Sequence, residues 1–140
     1  MMYGAFRGER GMASVFGLCA LGILMILSAT MYATSRNHIL AAQRFLARDA
    51  IRNAAEDGVR LAVTRMNEDA GTATKANGAT DKKESLFTTR VGDASVEVFA
   101  RKKDNEILLL GVGQQEGERA RALGVVKESA GKYVIEHWER

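Results

Sequence analysis

Proline is missing from this chain altogether, cysteine occurs once, histidine twice, and the aromatic residues are five Phe, three Tyr and one Trp. Without proline, nothing forces a long helix to kink or stop. A single cysteine excludes an intramolecular disulfide and a cysteine-based zinc site. Cys19 lies within an apolar run and reads as a small apolar filler facing lipid or a neighbouring helix. A lipid-bearing cysteine would end its signal and become the mature N-terminus, whereas Cys19 sits mid-run. His38 and His137 are far apart in sequence, with no HExxH or paired-ligand spacing, so no metal site is expected. Excess charge is slight too. Twenty Lys and Arg against seventeen Asp and Glu leave a net +3, and the basic residues are scattered. That is a solvated surface, and no nucleic-acid partner is expected.

Charge is also missing locally: none occurs between Arg10 and Arg36. At about 1.5 Å per residue this stretch is long enough to cross a hydrocarbon core of about 30 Å. It is read as a retained membrane helix or as a cleaved secretory signal. Ser28-Ala29-Thr30 and Ala33-Thr34-Ser35 imitate small-residue cleavage sites. The run exceeds an ordinary signal core, however, and leads without a breaker into strongly helical sequence, which favours the retained helix. Residues 1–11 form a short basic, glycine-containing lead-in. Arg7 and Arg10 precede the run while Arg36, Arg44 and Arg48 come after it, so the charge count alone does not orient it.

Beyond the apolar run, periodicity divides the chain. Over residues 36–69, Ile51, Ala55, Val59, Ala62 and Met66 recur at three- and four-residue steps and share one helical face. Ala54, Ala55, Gly58 and Ala62 keep that side low, where a sheet should lie. A continuous helix is therefore expected from about Met12 to about Asn67, all-round apolar at first and amphipathic beyond Arg36. Residues 70–85 carry few large apolar side chains and read as a loop. Four strands are expected over 86–140. The first is the Val96/Val98 alternation and the second is Ile107 to Leu110, loosened by Gly111 and Gly113. The third is Ala120 to Val126 and the fourth Tyr133 to Trp138. Polar turns at Lys102–Asn105, Gln114–Glu118 and Ser129–Gly131 make them an antiparallel meander. The expected fold is α+β, a long N-terminal helix whose second half packs on a four-stranded sheet. Its expected core sets the five helix residues against Val96, Val98, Leu109, Val125 and Ile135.

No catalytic group stands out. Gly111-Val112-Gly113 with Gly117 lacks the Gly-Lys-Ser/Thr ending and a succeeding helix that a phosphate loop requires. Ser14, Ser28 and Ser35 have no base partner in sequence. Neither an enzyme nor a cofactor is expected.

The layout resembles the minor pilins and pseudopilins of type IV pilus and type II secretion systems. The residues carrying the resemblance are Arg7-Gly8-Glu9-Arg10-Gly11 before Met12 and an uncharged helix, Ala54-Ala55-Glu56-Asp57-Gly58-Val59 with Leu61-Ala62, and the order of strands and turns to the last aromatic strand. It implies a leader, 1–11, cut by prepilin peptidase between Gly11 and Met12, and an N-terminus methylated at Met12. It also implies an assembly helix, 12–35, working through Phe16, Gly17, Ala20 and Gly22. Placement in the inner membrane with the N-terminus cytoplasmic rests on the same resemblance. The fifth residue after the cut is Phe16, where major pilins have Glu. Losing that partner for a neighbour's N-terminal ammonium disfavours ordinary stacking and points to a minor, tip or initiating subunit. A membrane-anchored binding or adaptor module that keeps residues 1–11 is the alternative.

Overall fold

The computed structural model describes residues 6–80 and 82–139, the first five of them by backbone alone. Its elements are α1 (Phe6–Glu68), α2 (Ala70–Gly78), β1 (Glu84–Val91), β2 (Ala94–Lys103), β3 (Glu106–Gln115), β4 (Glu118–Ser129) and β5 (Lys132–Glu139). The fold is α+β, a long helix packed on an antiparallel sheet in which sequence neighbours pair throughout, β1-β2-β3-β4-β5. Five strands stand where four were expected, and a short helix replaces most of the expected loop.

No loop interrupts α1, and it begins at Phe6, so the expected leader overlaps it; Met1 to Ala5 lie outside the described residues. Compactness nonetheless divides the chain within this helix, after Arg44. In the first unit every side chain from Gly11 onward is exposed. Burial starts in the second unit, at Ile51, fifteen residues after the expected handover at Arg36.

In the second unit, Ile51, Ala55, Val59, Ala62 and Met66 are all buried, as their spacing requires. Val59, Ala62 and Met66 join one cluster with Val96, Val98 and Ala100 of β2, Leu109 of β3 and Val126 of β4, each essentially inaccessible. The helix lies unusually close to β3. A Cβ at Gly111 would collide with the carbonyl oxygen of Ala55, and one at Gly113 would stand 2.7 Å from that of Ile51. These glycines do not loosen β3; they continue it to Gln115 and form the seat for the helix backbone. Ile135 is half-buried against the core. Val125 is a correction. It is buried, but strand alternation puts Gly124 and Val126 on the helix side and Val125 on the other, opposite Leu108 and His137.

The hairpin turns are set by backbone sterics. Positive φ occurs at Asp104 and Asn105, at Glu116 and Gly117, and at Ala130 and Gly131. Positive φ at both central residues is what a two-residue type I′ hairpin needs to match strand twist. Alanine is poorly suited to φ 51°, because its Cβ crowds the backbone there. Ala130→Asn creates the favoured Asn-Gly pair and should raise stability by about 0.5–1 kcal/mol. The check is the urea midpoint of Trp138 fluorescence for the full chain in non-ionic micelles.

Asn67 ties the end of α1 to the last strand. Tyr133 N donates to Asn67 Oδ1 at 2.7 Å, and Asn67 Nδ2 donates to the Tyr133 carbonyl at 3.0 Å, imitating a further strand. Asn77 Nδ2, at the end of α2, donates to the Tyr133 hydroxyl at 2.8 Å. Two arginines of α1 reach over the edges of the sheet, Arg60 to the Trp138 ring of β5 and Arg65 to the Phe87 ring of β1.

Candidate functional site

The first candidate surface is the apolar part of α1, from Met12 to Ala33. The helix is long and apolar enough to cross a membrane, and none of its most apolar stretch is buried. Phe16 is 71% exposed. Gly11, Gly17 and Gly22 have open space where a Cβ would stand, and Met12 and Ala20 are exposed. Gly17 and Ala20, three residues apart, share a face; Gly22, two beyond Ala20, does not. Gly17 and Ala20 thus offer one low face and Gly22 another.

Three hydroxyls along this stretch are satisfied within the helix itself. Ser28 Oγ donates to the Leu24 carbonyl, Thr30 Oγ1 to that of Leu27 and Thr34 Oγ1 to that of Thr30, each at 2.8 Å. Side chains that bond back to their own helix need no partner from solvent. Downstream, Ile39, Leu40, Phe45 and Leu46 are also exposed. Within the first unit, exposed apolar side chains thus continue past Arg36 to Ile39 and Leu40.

At the junction of the two helices, Asp69 caps α2 by accepting from Gly71 N at 3.0 Å and Thr72 Oγ1 at 3.0 Å. The Gly71 amide, then the Thr72 hydroxyl, hold its carboxyl below the ordinary carboxylate value. A depressed folded-state pKa makes the cap a contribution present above the ordinary value and lost as pH falls through the depressed one. Lys75 adds to the same preference for the charged form.

The second candidate surface is the sheet face turned away from α1, and sequence reading missed it. Phe99 pairs with Leu110 and Leu110 with Leu123, forming an apolar row across three strands. Around that row lies a hollow of about 350 Å³ whose lining includes Lys83, Arg101, Leu108 and Arg121. The available signal was β3 itself. Ile107, Leu108, Leu109 and Leu110 are apolar on both faces, where a strand with one wet face should alternate.

His38 and His137 are each exposed. Among the described residues there is no group of three or more His, Cys, Asp or Glu placed to hold a metal ion. No protein-family model matches this chain, and no curated protein or solved structure does either.

Proposed function

We propose that this chain is a minor, tip or initiating subunit of a type IV pilus or a type II secretion pseudopilus. One observation carries the reading: a single helix, α1, contains both an exposed apolar segment and the face that forms the core of an antiparallel sheet domain. In that role Met12 to Ala33 anchors the subunit in the inner membrane and then packs against the helices of other pilin or pseudopilin subunits. The sheet domain stands outside the cytoplasm and selects partners. Phe16 supplies no carboxylate to a neighbour's N-terminus, which suits a subunit with nothing stacked above it.

Processing tests this reading. Gly11 lies inside α1 with open space around it. Glycine weakens a helix by about 1 kcal/mol relative to alanine, so the backbone at the cut opens readily for prepilin peptidase. In a host carrying that peptidase, the intact mass of the membrane-extracted protein should show loss of residues 1–11, with a methyl group on Met12. Gly11→Val adds a branched side chain at the cut and should leave the leader in place without affecting membrane insertion. A wild-type protein that keeps residues 1–11 would instead favour the membrane-anchored binding module. A product starting after Ala33 or Ser35 would indicate an ordinary secretory signal.

A further inference from the structure

The outer sheet face is apolar at its centre and basic at its margins. Alternation places Phe99, Leu108, Leu110, Val112 and Leu123 there, half-buried, together with the buried Val125, although α1 lies on the opposite face. A central strand that is apolar on both sides is the pattern of a strand covered twice. Helix α1 supplies one cover, and the described residues supply no second.

Shape and charge define what fits. The hollow around Leu108 and Leu123 is continuous with a second of about 330 Å³, and the two share Lys83, Phe99, Leu110 and Arg121. Arg101 lines the first and Arg119 the second. Arg101 Nε is shielded from solvent and has no hydrogen-bond partner among the described residues, a state in which an N–H calls for an acceptor. An adjoining hollow, which Asp49 also lines, brings Arg48 and Arg52 beside Arg119 and Arg121, with Arg52 paired to Glu56 at 3.6 Å. Among the described residues, the acidic ones lining the two sheet hollows are Glu97 and Glu139, and Glu97 already accepts from Ser85 Oγ at 2.9 Å.

We infer that this face docks an acidic, apolar segment of a partner protein. Leucine-like side chains lie on the Phe99–Leu110–Leu123 row, and flanking carboxylates meet Arg101, Arg119 and Arg121 by charge-assisted hydrogen bonds. The inference goes beyond the pilin reading and does not depend on it. Single-stranded nucleic acid binds on aromatic platforms, and here the floor offers one aromatic ring among leucines. A compact anionic amphiphile fills one hollow and leaves the cations of the other unused.

The test uses the full chain in phosphatidylcholine nanodiscs. Random peptides displayed on phage are selected against it, and the enriched peptide is then measured by fluorescence anisotropy. Enriched sequences should interleave Asp or Glu with Leu, Ile or Phe, and binding should weaken as salt is raised. The double variant Arg101→Gln/Arg121→Gln should weaken binding at least about tenfold, and Lys75→Gln on α2 should leave it unchanged. Arg101 is half-buried, so Arg121→Glu alone, at an exposed position, is the second variant. It should lose at least as much, with Trp138 fluorescence unaltered. Lack of enrichment, enrichment of peptides without acidic residues, or binding indifferent to these substitutions would overturn the inference. So would dodecanoate or oligothymidine binding in place of peptide. Association of nanodisc with nanodisc that the same substitutions abolish would assign the face to a second copy instead, and would equally overturn it.

Discussion

Val59→Asp is expected to unfold the sheet domain without disturbing the apolar part of α1, whose side chains are all exposed. Val59 is fully buried, and its two methyl groups lie over the positions where Gly111 and Gly124 lack a Cβ, at 3.0 and 3.2 Å from where one would stand. A carboxylate there has no donor within the apolar seat. Either it stays charged and unpaired, or it takes a proton and remains without a partner. Both states cost on the order of 4 kcal/mol once lost packing is included. A small domain has a total stability of about 5–15 kcal/mol and often sits near the lower end. Trp138 is the only tryptophan, and it lies under Arg60 on the last strand, so its fluorescence reports this domain alone. In micelles the variant should show the Trp138 emission of the urea-unfolded protein, or a sharply lowered midpoint. Val134→Asp is the control: Val134 is 53% exposed on the same strand as Trp138, and its substitution should shift stability by no more than about 0.5 kcal/mol. Equal behaviour of the two variants would mean that Val59 is not under the sheet.

Legibility tracked the length and regularity of each pattern. The buried face of α1 was readable because Ile51, Ala55, Val59, Ala62 and Met66 keep helical spacing over four turns and no proline intervenes. β2 was readable because Val96 and Val98 alternate cleanly. β1 was not. Its register slips between Ser85 and Phe87, so Leu86 and Phe87 are both half-buried and period two is lost where it would have been noticed. α2 was hidden by composition. Gly, Thr and Asn are weak helix formers, and this helix depends on the Asp69 cap and on Ala76, which is fully buried. The cap was legible in principle, since Asp69 precedes Ala73, Ala76 and Ala79 at three-residue steps. The Val125/Val126 pair could not be resolved without register, because two adjacent valines fit either face. The outer apolar row was missed for a related reason. A run of leucines on β3 signals a buried strand without saying what lies on each side of it.

The second large effect concerns the glycines of β3. Ordinary strand interiors disfavour glycine, so Gly111→Ala would be expected to strengthen an isolated strand. Here the outcome should be the reverse, because the new methyl group points at the Ala55 carbonyl and the Val59 side chain, both held by the buried turn of α1. A flexible side chain can move aside, but a helix backbone seated on a sheet moves only with its neighbours. For the helix to lift, Ile51 and Val59 must separate from their contacts with Gly113 and Gly124. Overpacking of this kind costs about 1–3 kcal/mol, and Gly111→Val should exceed that range. Gly78→Ala provides the contrast: no atom lies within 4 Å of its would-be Cβ, and it should change stability by no more than about 0.5 kcal/mol. Urea midpoints from Trp138 fluorescence should therefore fall in the order Gly78→Ala, Gly111→Ala, Gly111→Val. If Gly111→Ala melts like the wild type, the helix does not sit on the β3 backbone, and the close approach that makes this sheet a platform for α1 is wrong.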